Sequence, residues 1–250
     1  MKKLLSMLLC TAFLCSLCLT GVAEEGGKLI LGTTLGWPPF EEVDDQGNAI
    51  GFDIDIGRLI AEKLSMELAV EDINFDGLLM ALDDGKVDMV LAAMTITDER
   101  AQQVNFSAPY FEASQQVVMR KDAEPITALE QLPEKLVAAY QGTTGHLMCE
   151  EMGMIAGDKL AIFNSLADCV MELLAGRVDA VVMDTVPAQI YVAQHADELM
   201  IVEGLEIPVE NYGIAIKKDN TELLEKVDAA LSEIMASEEY QALLDEYFGA

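Results

Sequence analysis

An α/β fold built from two similar units is predicted by three observations. Short apolar runs of strand length alternate with segments of helical period along most of the chain. Strands joined through helices pair in the same direction, so a mainly parallel sheet is expected in each unit. The 250 residues, 52% hydrophobic and 24% charged, are enough for two modest cores and argue against disorder.

The elements follow in order. Residues 28–34 read as a first strand. Residues 53–64 read as a helix that turns Ile56, Leu59, Ile60 and Leu64 to one side. A strand at 67–72, a helix at 76–83 ending near Gly85 and a buried strand at 88–92 complete a first alternating run. Thr97 caps a short helix to Val104, and residues 114–120 are again a strand. Residues 135–140 begin the second run. It continues through a helix at 144–152, a strand at 160–163 and a helix capped by Ser165-x-x-Asp168 that ends at Gly176. A strand at 180–183 and a helix from Asp184 to His195 close it, and the unit reaches about Pro208. A late strand at 212–216 and a last long helix belong to neither run. That helix is opened by Asp219-x-x-Glu222 and buries Leu223, Val227, Leu231 and Ile234. Their place in the chain implies a return to the first unit, with two crossovers and a cleft between the units.

The first 23 residues differ from the rest. Lys2 and Lys3, an apolar run from Leu4 to Leu19 and the small residues of Gly21-Val22-Ala23 form a secretory leader, too short to span a bilayer comfortably. Val22 stands where a lipoprotein box beginning Leu19-Thr20-Gly21 needs cysteine, so no lipid anchor is expected. Losing the leader removes two lysines and no acid, which makes the mature chain more negative than the −29 of the whole. Such a surface repels nucleic acid and anionic lipid and suits a protein exported to a periplasm or an outer surface. The five cysteines reduce to Cys149 and Cys169. These sit on consecutive helices that can lie on opposite faces of one sheet, so a disulfide is not expected. His146 and His195 have no ligand spacing, and nothing in the sequence calls for a metal or a cofactor.

Four stretches carry candidate chemistry. Where the buried strand at 88–92 runs into a helix, Ala93-Met94-Thr95-Ile96-Thr97-Asp98-Glu99-Arg100 offers free backbone N–H groups, two hydroxyls and a guanidinium fork. This describes a carboxylate cradle, or alternatively an exposed arginine paired with Asp98 or Glu99. Tyr140-Gln141-Gly142-Thr143-Thr144-Gly145 repeats the strand-to-helix passage and either faces the same anion or is an ordinary capped turn. Asp184, at a strand end, either holds an ammonium group or caps its helix. Trp37, stiffened by Pro38 and Pro39, and Phe52 either wall a side-chain pocket or, for Phe52, pack the core. Asp44-Asp45 before Gln46-Gly47-Asn48 reads as a hairpin turn. Three of the four stretches lie at the C-terminal ends of expected strands, where α/β proteins bind ligands. A carboxylate fork, an ammonium acceptor and apolar walls together describe a zwitterionic α-amino acid.

Several further motifs then fall in order. Gly51-Phe52-Asp53-Ile54-Asp55-Ile56, Phe75-Asp76-Gly77-Leu78, Gly85-Lys86-Val87-Asp88, Thr95-Ile96-Thr97-Asp98-Glu99-Arg100 and Phe106-Ser107-x-Pro109-Tyr110 are followed by Gln141-Gly142-Thr143, Gly176-Arg177-Val178-Asp179-Ala180 and Tyr212-Gly213-Ile214-Ala215. In these the chain resembles the polar-amino-acid-binding proteins of bacterial ABC importers, the family-3 solute-binding proteins. The resemblance covers the whole mature chain. It implies the two-lobed type II periplasmic-binding fold, with residues 28–112 and 211–250 in one lobe and 113–210 in the other. It implies a monomer that catalyses nothing, captures a free L-amino acid and docks on a membrane permease. Arg100 would grip the α-carboxylate and Asp184 the α-ammonium, with Thr95 and Thr144 bonding the ligand's ends. Trp37 and Phe52 would be the aromatic pair, and Ala93 and Gln141 would line the cleft. Members that bind cationic amino acids carry an acid where Thr34 stands, so a neutral or polar ligand is expected. Ala92 and Ala93 offer only backbone where some members place serine or glycine, and Met183 stands where glutamine binders can carry histidine. Two other functions remain open on the same fold: a sensor feeding a chemoreceptor or kinase, and a secreted dehydratase acting on arogenate or prephenate.

Overall fold

The computed structural model describes residues 26–249, so the expected leader at 1–23 lies outside the described residues. β1 (Lys28–Thr33) is followed by a small hairpin, β2 (Glu42–Val43) and β3 (Ala49–Ile50). Its turn is tied by Asp44 Oδ1, which accepts from the backbone of Gln46 and Asn48 at 2.8 Å each, as the Asp-Asp turn implied. α1 (Phe52–Lys63), β4 (Glu67–Asp72), α2 (Leu78–Asp83), β5 (Met89–Val90), α3 (Asp98–Gln103) and β6 (Val104–Phe106) complete the first passage. β7 (Phe111–Arg120) then leads into β8 (Val137–Tyr140), α4 (Thr144–Glu151), β9 (Leu160–Phe163), α5 (Leu166–Leu174), β10 (Ala180–Asp184), α6 (Thr185–Gln194) and β11 (Leu199–Ile201). β12 (Val209–Tyr212) returns to β13 (Ala215–Lys217), α7 (Thr221–Met235) and α8 (Glu238–Phe248).

Two sheets result. The first has the order β4-β1-β5-β13-β6, parallel across β4, β1 and β5 and antiparallel beyond. The second has the order β11-β7-β10-β8-β9, parallel across β10, β8 and β9 and antiparallel where β7 joins. Each parallel core comes from a βαβ run, as the alternation predicts. The antiparallel strands are β13 and β6 in the first sheet and β7 and β11 in the second, next to the passages between lobes. β7 is the hinge element. Its N-terminal half pairs β12, from Phe111↔Tyr212 to Ser114↔Val209, while its C-terminal half belongs to the second sheet.

Local signals set most boundaries. The hydroxyls of Thr97, Thr143 and Ser165 accept from the third residue of α3, α4 and α5. The final helical region differs from the single long helix expected. Asn220, not Asp219, caps α7, and Ser237 caps a separate α8. The break lets α8 fold back, so that Tyr240 Oη donates to Tyr110 O at 2.7 Å and Phe248 reaches the first lobe's core. Cys149 and Cys169 are buried free thiols in separate apolar clusters, in keeping with opposite faces of the sheet.

Beside β7 and β12 lies an aromatic cluster. Phe52 is fully buried there, with its ring centroid 5.0 Å from that of Phe248, 6.0 Å from Phe111 and 6.1 Å from Phe40. Phe52 opens α1 and faces the core, so it is not the partner of Trp37 that the sequence suggested. The expected consequence is that Phe52→Ala destabilises the fold by about 3–5 kcal/mol in chemical denaturation, while ligand affinity of the folded fraction stays unchanged.

Candidate functional site

The C-terminal ends of β1, β5, β8 and β10 meet between the two sheets. Of the nine residues singled out in the sequence, Thr34, Trp37, Ala93, Thr95, Arg100, Thr144 and Asp184 line one small pocket. Glu41, Phe75, Ala92, Tyr140 and Thr143 complete its wall. Phe52 is in the core, and Gln141 is at the rim, where its Nε2 donates to Asp76 Oδ2 across the lobes at 2.8 Å. Gln141 is therefore an interlobe tie rather than part of the enclosed wall.

Arg100 occupies the third position of α3 and is only 7% exposed. It makes no ion pair with Asp98 or Glu99 among the described residues, so the surface-pair alternative fails. Its Nη1 donates to Thr95 O at 2.7 Å and its Nη2 to Gly142 O of the other lobe at 2.9 Å. Its Cζ lies 5.3 Å from the centre of the Phe75 ring. Burial lowers its pKa, opposed by the charges of Asp184 and Glu210. The Gly142 amide is held from its other side, because its N–H donates to His146 Nδ1 at 3.1 Å.

Asp184 sits at the N-cap of α6, yet its side chain does not cap. It turns inward and accepts from Gln115 Nε2 at 2.7 Å and from the Tyr212 hydroxyl. Burial pushes its pKa up to about 7, against the pull of those two donors. Asp53 is also raised to about 7 by burial; its Oδ2 accepts from Ala93 N at 2.7 Å and Tyr110 Oη at 2.8 Å. That bond pins Ala93, whose φ of 45° lies in the left-handed region that a non-glycine residue enters only when held. Glu41 lies beside Asp53. Burial first, then the Asp53 and Asp184 charges, push its pKa well up. Glu41 Oε2 and Asp53 Oδ1 are both buried with no hydrogen-bond partner among the described residues.

The ring partner of Trp37 is Tyr140, with centroids 6.0 Å apart and planes at 43°. Tyr140 comes from the second lobe, so this pair too spans the cleft. Sequence reading missed Glu41, Tyr140, Gln115, Glu210 and Tyr212. Glu41 follows the Trp37-Pro38-Pro39-Phe40 stretch directly, but the bridge between Trp37 and Glu41 that aims it inward leaves no local signal. Glu210 and Tyr212 are two apart on a strand and so share a face, a pattern visible only once residues 209–212 are known to be β12.

A family profile for "Bacterial extracellular solute-binding proteins, family 3" matches residues 29–250. The chain is 33% identical over 258 residues to the arginine-binding extracellular protein ArtP of Bacillus subtilis, covering 99% of this chain and 98% of that protein. The crystal structure of an ancestral arginine-binding protein bound to arginine superposes with a TM-score of 0.84 at 41% identity, over 90% of this chain and all of that one. An ancestral amino-acid-binding protein described as a precursor of cyclohexadienyl dehydratase superposes with a TM-score of 0.80 at 32% identity, over 89% and 96% of the two chains.

The buried acids set a pH dependence. With Asp53 and Asp184 raised from 3.8 to about 7, the folded state holds protons that the unfolded chain has lost in that interval. Unfolding then releases protons, so stability falls as pH rises through it. Between about pH 5 and about pH 8 the Tm of the ligand-stripped protein is expected to drop by about 4 °C or more. In Asp184→Asn, whose side chain stays neutral, a thermal scan at each pH should show a flatter fall.

Proposed function

Since the chain belongs to the bacterial extracellular solute-binding proteins, family 3, we propose that it captures a free L-amino acid with a cationic side chain, L-arginine foremost, and delivers it to an ABC permease. The carrying observation is the charge inside the cleft. Two buried carboxyl groups, Glu41 and Asp184, line the pocket with the single guanidinium of Arg100, and a third, Asp53, is buried behind Ala93. A zwitterionic backbone leaves that excess of acid uncompensated, whereas a cationic side chain lying between Trp37 and Tyr140 and reaching Glu41 offsets it. The neutral or polar ligand expected earlier rested on Thr34. Its hydroxyl donates to Ile73 O at 2.6 Å, so its proton is committed to the backbone, and Glu41 supplies an acid from a different position. The relatives named for arginine support the same choice.

Residues 28–112 with 211–250 form one lobe and 113–210 the other, and they close about β7 and β12. Arg100 holds the α-carboxylate from the first lobe and Asp184 the α-ammonium from the second. A ligand touching both favours the closed form, which is the form presented to the permease. The described lining contains no serine, cysteine, histidine or lysine, and the relatives are named as binding proteins, so the reading is capture without chemistry. No helix among the described residues is long and apolar enough to cross a membrane. Export follows from the leader, and delivery then requires a separate membrane partner.

Calorimetric titration with the common L-amino acids tests this, after unfolding and refolding to strip ligand carried from the host. L-Arginine should bind tightest. Arg100→Ala should weaken it by about 100-fold or more, as for one partner of a buried charge pair. Glu41→Gln should cost about tenfold for arginine and less than about threefold for glutamine. Tighter binding of a neutral amino acid would sink the cationic assignment, and no binding at all would sink the amino-acid reading.

A further inference from the structure

Glu210 has no role in any reading so far, yet its carboxylate is held inside the cleft by donors from three directions. Its Oε2 accepts from Thr95 Oγ1 at 2.9 Å, from Thr144 Oγ1 at 2.8 Å and from Gln115 Nε2 at 3.4 Å. Thr95 follows β5 in the first lobe, Thr144 opens α4 in the second, and Gln115 is on the hinge strand β7. Glu210 itself is on β12, the other passage, two residues before Tyr212, whose hydroxyl donates to Asp184. It forms no ion pair with any described lysine or arginine within 4.0 Å. The network is therefore built from neutral donors around one carboxylate.

We infer that Glu210 is a positioning residue that sets the direction of the cleft's hydroxyl protons, so that Thr95 and Thr144 present lone pairs to the ligand's α-ammonium group. The inference rests on the amino-acid reading above. A threonine hydroxyl has one proton and two lone pairs. With the proton given to Glu210, neither hydroxyl can donate to a ligand carboxylate.

Gln115 fixes the same direction independently. Its Nε2 donates to Asp184 at 2.7 Å and to Thr144 Oγ1 at 2.9 Å. Thr144 Oγ1 is therefore already an acceptor and must pass its own proton onward, and Glu210 is there to take it. Turning the amide over would set its oxygen against the Asp184 and Glu210 carboxyl groups, which favours this order of donors. On the Asp184 side the cleft then offers acceptors, and on the Arg100 side it offers donors. That polarity fits an ammonium with three N–H groups at one end of a ligand and a carboxylate at the other. Without Glu210 no carboxylate takes either hydroxyl proton, and the preference for an ammonium weakens.

The test compares L-arginine with its 2-hydroxy acid, in which a hydroxyl replaces the ammonium group. Calorimetry is run on the wild type, Glu210→Ala and Glu210→Gln, with thermal scans confirming that each variant folds. Glu210→Ala should lower the preference for arginine over the hydroxy acid by about tenfold. Glu210→Gln should lower it less, because its amide oxygen still accepts the two hydroxyl protons. If Glu210→Ala does not fold, the sign of the change in Glu210→Gln decides. Equal weakening of both ligands would mean that Glu210 only braces the hinge, and an unchanged preference in Glu210→Ala would likewise overturn the inference. Failure of the arginine reading shows separately, in the wild type alone. The same comparison then runs with whichever amino acid the wild type binds and the matching 2-hydroxy acid.

Discussion

The pairing of β7 with β12 is the constraint on which the site depends. These two strands are the passages between lobes, and their antiparallel ladder runs from Phe111↔Tyr212 to Ser114↔Val209. Strand periodicity then aims Gln115 from one passage and Glu210 and Tyr212 from the other at the same place. A shift of β12 by one residue in that register would turn Glu210 and Tyr212 away from the cleft. The aromatic cluster of Phe40, Phe52, Phe111, Tyr212 and Phe248 packs against the same ladder and holds it in place.

On that frame the cleft is an electrostatic instrument. Arg100, Asp184, Asp53 and Glu41 are all buried, where unpaired charge is costly and hydrogen bonds to charge are strong. Asp53 accepts from Ala93 N and Tyr110 Oη, while Asp184 is held by Gln115 and Tyr212. These two acids are thus tied to the protein, which limits the reorganisation that binding requires. The lobes themselves meet through polar ties of the same kind, from Arg100 to Gly142 and from Gln141 to Asp76.

Much of this was legible in the sequence, and the parts that were not share a cause. Thr97, Thr143 and Ser165 cap helices through contacts three residues away, so those boundaries could be read locally. Arg100 and Asp184 stood at strand-to-helix passages, and the topology of α/β sheets sends such passages to one edge. Phe52 was ambiguous because an aromatic residue at the start of a helix serves a core or a pocket equally well. The rotation of α1 against the hinge decides between them. Glu210 sits in a polar stretch that resembles a connecting loop, and it becomes a site residue only because β12 pairs with β7.

The amino-acid sequence by itself determined the alternating α/β architecture, the two runs, the acidic surface and the placement of Arg100 and Asp184 at strand-to-helix passages. These depend on periodicity, composition and contacts within a few residues. Only the tertiary structure decided which aromatic ring faces Trp37, that Glu41 joins Asp184 in the pocket wall and that Thr95 and Thr144 meet at Glu210. Tyr140, Glu41 and Glu210 reach the cleft through pairings with residues up to 115 positions away. Such pairings are set by how strands align and lobes meet, and no local pattern encodes that alignment.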